Sequence, residues 1–155
     1  MMQDAFTVLK YISIIQRNTQ KFFDLNLCGD QIGSGQQFFI LRIAENEGMM
    51  MHELAQTGNF DKGTVTKAVK KLWEEGYIRI EADEKDGRVR RLYTTKKAEA
   101  LVQKVYRLRD EWNENLMEGL ADEEADALKA QLRRMAELSC RKLEWDTERE
   151  GRKNA

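Results

Sequence analysis

The sequence predicts a mainly α-helical subunit with one small β-hairpin, an α+β arrangement. Three observations predict this fold class. Apolar residues recur at helical spacing along most of the 155 residues, and no proline interrupts them. Between Tyr77 and Thr94, apolar residues instead alternate with charged ones, which is typical of half-buried strands. The two alternating runs are separated by Asp83 to Gly87, whose Asp-Gly pair favours a tight turn.

Composition excludes several classes of protein. With 41% hydrophobic and 34% charged residues, the chain has no apolar run long enough to span a bilayer, so we expect no membrane partner. The start of the chain lacks a basic region followed by an apolar block, which predicts a cytoplasmic location. Cys28 and Cys140 form neither a metal spacing nor a disulfide framework, although redox sensing through Cys28 stays open.

The charges are unevenly distributed along the chain, although the net charge is only −1. Residues 61–97 hold eleven Lys or Arg against seven Asp or Glu, whereas residues 110–126 hold eight acids and no base. Since screened attraction acts over only about 8–10 Å at ordinary salt, a local basic block predicts a localised anionic partner.

The first predicted helix runs from about residue 4 to residue 25, with steps of four and three between Val8, Ile12, Ile15, Thr19 and Phe22. Its apolar face is wide enough to need more than one neighbour, which predicts a partner subunit. After a loop over residues 27–33, Ser34 and Gln37 fit a capping box. We therefore expect the Ser34 hydroxyl to cap a second helix that ends near Gly48.

The next segment has the layout of a helix-turn-helix. A short helix over residues 52–56 is followed by turn residues 57–60 and by a helix that begins at Asp61. Asn59 can supply the positive φ that such a turn needs, and the Asp61 carboxylate can cap the second helix. Gly76 is predicted to close that helix at its C-terminal end.

The second helix of this pair has one apolar and one polar face. The predicted buried stripe consists of Val65, Ala68, Val69, Leu72 and Trp73. The opposite face carries lysines and threonines, and the hairpin follows directly after Gly76. A hairpin in that place forms a wing, so the predicted fold is a winged helix-turn-helix.

Two further amphipathic helices complete the chain. Thr94 or Thr95 is predicted to cap a helix with an apolar repeat over residues 101–116, and a last helix starts near Asp122, with Leu128, Leu132, Met135 and Leu138 along it. We expect the first and the last two helices to form a dimer platform. The predicted domains are a dimerisation helix and loop at 1–33, the winged helix-turn-helix at 34–96, dimerisation helices at 97–147 and a polar tail at 148–155.

With these elements in order, the sequence resembles the MarR family of winged helix-turn-helix transcriptional regulators over nearly its whole length. The resemblance is carried by motifs at matching positions: Gln37-Phe38 to Leu41, Glu53-Leu54-Ala55, the run from Asp61 to Lys67, Gly76-Tyr77-Ile78 and Asp86-Gly87-Arg88. It implies a homodimer on a pseudo-palindromic operator in double-stranded DNA. Each recognition helix would occupy a major groove, and each wing the adjoining minor groove.

The resemblance assigns DNA contacts to Lys62, Thr64, Thr66, Lys67 and Arg88, and residues beside them complete a predicted set of ten. In the recognition helix they are Lys62, Gly63, Thr64, Thr66 and Lys67, followed by Lys70 on the phosphates. In the wing they are Lys85, Asp86, Arg88 and Arg90, where Arg88 enters the minor groove and Asp86 is expected to brace it by an ion pair. Gly58 and Asn59 depart from the family's usual turn residues and predict looser packing there.

Other functions are less well supported by the sequence. No catalytic set, metal cluster, cofactor motif or phosphate-binding glycine loop is present, and the single histidine, His52, lies in the helix-turn-helix scaffold, so we expect no enzyme, no metal and no cofactor. A winged-helix module that binds proteins instead of DNA remains the alternative. The resemblance implies a repressor released by a small-molecule effector, whose binding residues the sequence leaves unknown.

Overall fold

The computed structural model describes the backbone of residues 7–153 and the side chains of residues 8–144. Its elements confirm the mainly α-helical fold with a β-hairpin wing. In chain order they are α1 (Thr7–Leu27), a 3₁₀ turn (Cys28–Asp30), α2 (Ser34–Glu45), β1 (Met49–Met50), α3 (Met51–Gln56), α4 (Lys62–Glu74), β2 (Ile78–Ala82), β3 (Arg90–Thr94), α5 (Ala98–Leu116) and α6 (Asp122–Lys153). The chain forms two compact units, Met1–Asn113 and Glu114–Ala155.

Helix α1 differs along its length. Its predicted first residues, 4–6, lie outside the described residues, and its last turn extends to Leu27. Phe23 and Leu27 are buried in the core of the first unit, whereas the preceding turns expose apolar side chains, among them Ile12 and Ile15. The exposed half is the wide apolar face expected from the sequence.

The start of α2 corrects the predicted capping box. Gly33, not Ser34, is the N-terminal cap, and its amide donates to Gln36 Oε1 at 2.9 Å. The Ser34 amide donates instead to Asp24 Oδ1 of α1, at 2.7 Å. A side chain at position 33 would meet that carboxylate, since a Cβ there would lie 2.5 Å from Asp24 Oδ1. A carboxylate ten residues earlier therefore replaces the predicted hydroxyl.

The wing belongs to a three-stranded antiparallel sheet of order β1-β3-β2. In the centre of the sheet, Leu92 of β3 pairs with Ile80 on one side and with Met49 on the other. The extended step at Met49 thus becomes a third strand, which ties the hairpin to the segment between α2 and α3. Leu92 is fully buried and anchors the sheet on the core.

The core of the first unit joins α1, α2, the helix-turn-helix, the sheet and α5. Its fully buried side chains include Ile40, Leu41, Leu54, Leu72, Leu92 and Val105. Helix α5 also makes specific contacts with α1: Trp112 stacks on Phe22 with 4.6 Å between ring centroids, and its indole N–H donates to Thr19 at 2.8 Å. The first unit is therefore one packed body.

The predicted threonine cap of α5 is wrong. The Thr95 hydroxyl donates to the carbonyl of Gly76 at 2.6 Å, and the Thr94 hydroxyl donates to the Glu47 carboxylate. Only the Thr95 carbonyl meets the first turn, where it accepts from the Ala98 amide at 3.0 Å. The two hydroxyls are used to fasten the end of β3 to its neighbours because those acceptors lie within reach in the folded chain.

The second unit consists of the end of α5, a turn at Gly119 with φ of 83°, and α6. Helix α6 begins at Asp122 as predicted and continues to Lys153. Residues 148–153 of the predicted polar tail are therefore helical. Leu128, Leu132 and Leu138 are 41–44% exposed along α6. Within residues 7–153, no helix is long and apolar enough to cross a membrane.

Candidate nucleic-acid interface

The first turn of α4 is fixed by its N-terminal cap. Asp61 Oδ1 accepts a hydrogen bond from the Thr64 amide at 2.7 Å, as the sequence predicts. This bond and a second from the Thr64 hydroxyl hold the pKa of Asp61 below its usual value. The Thr66 hydroxyl donates back to the Lys62 carbonyl at 2.8 Å. Residues 62–64 therefore have a defined conformation, although they are exposed to solvent.

One face of α4 packs into the core through Val65, Ala68, Val69 and Leu72. Trp73 does not join them and is 56% exposed, so its assignment to the buried stripe is wrong. On a helical projection Trp73 lies about 90° from the centre of the buried stripe. That places it on the flank of the helix, where only the tertiary neighbours decide burial.

The turn before α4 is tightly packed. Asn59 has the predicted left-handed conformation, with φ of 54°. Phe60 packs against Phe38 and Phe39 of α2, with ring centroids 5.3 and 4.8 Å apart. A Cβ on Gly58 would lie 2.4 Å from the Phe60 ring. Gly58 makes room for this aromatic contact, so the turn packs closely against α2, whereas looser packing between α3 and α4 stays a prediction.

Helix α4 ends as predicted at Gly76, which has φ of 77°. The Lys97 ammonium donates to the Glu75 carbonyl at 2.6 Å and lies 4.6 Å from the centroid of the Tyr77 ring. A cation at this end of a helix is favourable, since the last carbonyls carry partial negative charge.

The tip of the wing, residues 83–89, is organised by two aspartates. Asp83 accepts from the amides of Lys85 and Asp86, both at 3.1 Å, and from the Arg91 guanidinium at 2.6 Å. Asp86 Oδ1 accepts from the Arg88 amide at 3.1 Å. The predicted ion pair between the Asp86 and Arg88 side chains is absent from the described residues, and the brace acts on the backbone instead. The ion pair that reaches the wing tip is Asp83 with Arg91.

All ten predicted DNA-contacting residues are exposed, and six of them line three depressions around α4. Lys62, Arg88 and Arg90 share a groove of about 400 Å³ between α4 and the wing. Lys67 and Lys70 lie together in a polar depression beside Gln36. Thr64 lines a third depression, which faces α1 and α2. Among the described residues, the structure brings cations of the helix and of the wing together at the first groove.

Three residues of this surface were not among those that the sequence predicts for it. His52 lines the groove with Lys62, Arg88 and Arg90, although the sequence indicates only a scaffold position for it. Asp83 and Arg91 support the wing tip through the contacts above. For Asp83 the one local signal was its position opening a turn, where Asp often accepts from amides two and three residues on. Arg91 had no local signal.

Fold and surface together define a winged helix-turn-helix protein with a cationic face formed by α4 and the wing. A family model described as "MarR family" matches residues 34–89. The HTH-type transcriptional regulator BilQ of Clostridium symbiosum is 30% identical over 122 residues, which cover 79% of this chain and 85% of that protein. The chain belongs to the MarR family.

Two further relatives match nearly the whole chain. The uncharacterized HTH-type transcriptional regulator YybA of Bacillus subtilis is 26% identical across 94% of this chain and 96% of its own. A crystal structure of the transcriptional regulator SlyA superposes with a TM-score of 0.85 at 25% identity, covering 89% of this chain and 97% of that chain. The protein is accordingly a DNA-binding transcriptional regulator.

Proposed function

We propose that this protein is a repressor that reads its operator with the first turns of α4 in the major groove and with the wing in the adjoining minor groove. In this proposal Lys62, Gly63, Thr64, Thr66 and Lys67 meet the major groove. Asp86 and Arg88 occupy the minor groove, and Lys70, Lys85 and Arg90 lie on phosphates. The single observation that carries it is the shared groove of Lys62, Arg88 and Arg90.

That groove has the right position for a DNA strand. The phosphates that separate a major groove from its neighbouring minor groove must pass between the recognition helix and the wing tip. Lys62 lies on the α4 side of this path, and Arg88 and Arg90 lie on the wing side. His52 lines the path as well. Positive charge on both sides would attract the crossing strand, with Arg90 on its phosphates, while Lys62 and Arg88 extend from the edges of this path into the major and the minor groove.

We propose that the dimer is formed by residues 1–33 and 97–147, leaving residues 34–96 as the DNA-binding domain and residues 148–155 as a polar tail. Apolar exposure on the terminal helices supports this division. Along α1, exposed apolar side chains include Leu9, Ile12 and Ile15, and along α6 they recur every three or four residues. Exposed apolar rows of this length mark a protein interface.

The position of the dimer interface can be tested on α6 alone. Leu132→Asp places a charge in the apolar row and should shift the protein from dimer to monomer in analytical ultracentrifugation. Arg134→Asp is the matched control, because position 134 lies about 200° around the helix from position 132. A Leu132→Asp variant that stays dimeric would contradict the assignment of residues 97–147.

The DNA-contacting residues are tested by selecting bound fragments from the genome and then measuring the affinity of variants for the selected operator. Arg88→Ala and Lys67→Ala should each weaken binding about 5- to 150-fold, which corresponds to about 1–3 kcal/mol for a lost contact. Arg88→Ala should also reduce the slope of log affinity against log salt by about one for each contact removed. Lys142→Ala, an exposed cation on α6, is the control. Unchanged binding in both variants would overturn the proposed docking.

The last part of the proposal is that the protein represses transcription and that a small-molecule effector releases it from DNA. It would act in the cytoplasm, where its operator DNA lies. A depression of about 260 Å³ supports the effector, since Thr64 lines it with aromatic residues of α1 and α2. A small molecule there would touch a proposed base-contacting residue. Deleting the gene should raise transcription of the operator's neighbours, and a fall in their transcription would contradict repression.

A further inference from the structure

The carboxylate of Asp83 connects the wing tip to the body of the protein. The two carboxylate oxygens of Asp83 have different partners. Oδ1 accepts from Arg91 Nε at 2.6 Å, and Oδ2 accepts from the amides of Lys85 and Asp86 at 3.1 Å each. The Asp83 amide donates to the Val89 carbonyl at 2.9 Å, which closes the loop. One side chain therefore holds both the start of the tip and the strand that leaves it.

Arg91 continues the connection away from the tip. Its Nη1 donates to the carbonyl of Gly48 at 2.8 Å, in the turn between α2 and β1. The Gly48 amide in turn donates to the Leu92 carbonyl at 2.8 Å, and Leu92 is fully buried. The chain of contacts runs from the tip amides through Asp83 and Arg91 to a turn fixed on the core.

We infer that Asp83 and Arg91 are positioning residues for operator binding, which hold the wing tip so that Lys85, Arg88 and Arg90 meet the DNA in a fixed geometry. This inference rests on the proposed function, because it requires the wing to touch DNA. Neither residue needs to contact DNA itself. Holding the tip in its bound form before binding lowers the ordering cost of association.

Charge alone predicts the opposite role for Asp83. A carboxylate at the tip repels phosphates, so removing it should strengthen DNA binding if the field of the wing were all that mattered. Arg91 balances the Asp83 charge through the ion pair, with the Asp83 side chain only 16% exposed. The positioning role and the charge role thus give effects of opposite sign for the same substitution.

The chain offers a matched control next to Asp83. Glu84 is exposed at the same tip, and the described residues give its side chain no hydrogen bond or ion pair. Asp83→Asn and Glu84→Gln remove the same charge from adjacent positions. Only Asp83→Asn breaks contacts, because its single carbonyl oxygen can face either the Lys85 and Asp86 amides or Arg91, and the amide nitrogen on the other side cannot accept a hydrogen bond. In either orientation the connection from the tip to Arg91 is interrupted, and the ion pair is lost.

We expect Asp83→Asn to weaken operator binding roughly tenfold, because a mobile wing tip must be ordered when it binds. Glu84→Gln should leave binding unchanged or strengthen it. Arg91→Lys keeps the charge but loses the fork that reaches both Asp83 and Gly48, so it should weaken binding like Asp83→Asn. The double variant should lose little more than either single variant, since both break one connection.

A local readout separates positioning from general loss of structure. Amide hydrogen exchange at Lys85 and Asp86 should accelerate in Asp83→Asn and not in Glu84→Gln, while the thermal unfolding midpoint changes little in both. Equal binding by Asp83→Asn and Glu84→Gln would overturn the inference. So would a fall in the unfolding midpoint that accounts for the lost binding of Asp83→Asn.

Arg88→Ala, measured beside them, distinguishes a failure of the positioning role from a failure of the proposed wing docking. If Arg88→Ala weakens binding and Asp83→Asn behaves like Glu84→Gln, the wing contacts DNA and the positioning role fails. If Arg88→Ala binds as the unchanged protein does, the wing makes no important contact, and the docking of the wing in the proposed function fails with it.

Discussion

The recognition helix and the wing present the same kind of surface, yet they are held in place in different ways. Helix α4 is fixed by burial of Val65, Val69 and Leu72 and by a cap from the adjacent Asp61. The wing tip has no fully buried side chain and is held by Asp83 and Arg91. Perturbing the helix should therefore change global stability, whereas perturbing the wing tip should change binding with little effect on stability.

The largest effect should come from the buried face of α4. Leu72 is 0% exposed, and Leu72→Ala should lower the free energy of unfolding by about 2–5 kcal/mol, the range for a buried leucine that leaves a cavity. Urea denaturation at fixed protein concentration measures this change. Lys70→Ala, on the exposed face, should stay within about 0.5 kcal/mol of the unchanged protein. Equal losses in the two variants would break the comparison.

Glycines on either side of Asp61 provide a second and smaller contrast. Gly58→Ala forces Phe60 away from Phe38 and Phe39, which should destabilise the protein by about 1–3 kcal/mol. Gly63→Ala meets only Asp61 Oδ1, at 3.5 Å, and should stabilise α4 by about 0.5–1 kcal/mol. Thermal unfolding of both variants tests this opposite sign. A neutral Gly58→Ala would show that the aromatic contact contributes little.

The smallest effect concerns acid. The pKa values of Asp61 and Asp83 both lie below the usual 3.8, the first because of the Thr64 hydrogen bonds and the second chiefly because of the Arg91 hydrogen bond. A carboxyl with a lowered native pKa stabilises the fold above its unfolded pKa, and this contribution is lost as the pH falls through the native pKa. We therefore expect stability to decline below about pH 4.

The acid effect should differ between the two regions. Protonation of Asp61 weakens the cap of a core helix, so urea unfolding between pH 5 and pH 3 should report it. Protonation of Asp83 releases the wing tip, so amide exchange at Lys85 and Asp86 should report it at a pH where the core stays protected. Loss of protection in core and tip together, at one pH, would show that the wing is not an independent unit.

The sequence predicts the helix-turn-helix more completely than it predicts the wing. In the helix-turn-helix, the roles of Asn59, Asp61 and Gly76 depend on the conformation of a few adjacent residues, and the structure confirms all three. At the wing, the sequence indicates the hairpin and its exposed cations. It predicts an ion pair between Asp86 and Arg88, which are two residues apart. The ion pair that forms joins Asp83 to Arg91, eight residues away on the opposite strand, and a pattern of adjacent residues does not indicate it.

The errors at helix ends have the same origin. Ser34 and Thr95 carry the hydroxyls that a local rule favours as caps, but at the start of α2 Asp24 accepts from the Ser34 amide, and the Thr95 hydroxyl donates to Gly76. Trp73 has the spacing of a core residue and lies on the flank of α4. In each case another element provides or withholds the contact, and periodicity or capping rules carry no information about that element.

By itself, the sequence determined the order of the elements, the polar face of α4, the turn that leads into it and the position of the wing. Each of these depends on backbone preferences and on hydrophobic periodicity, which act between residues a few positions apart. The tertiary structure decided how the wing tip is held, which residues share its groove with α4, and which caps are used. These depend on partners distant in sequence, whose proximity exists only once the core has packed.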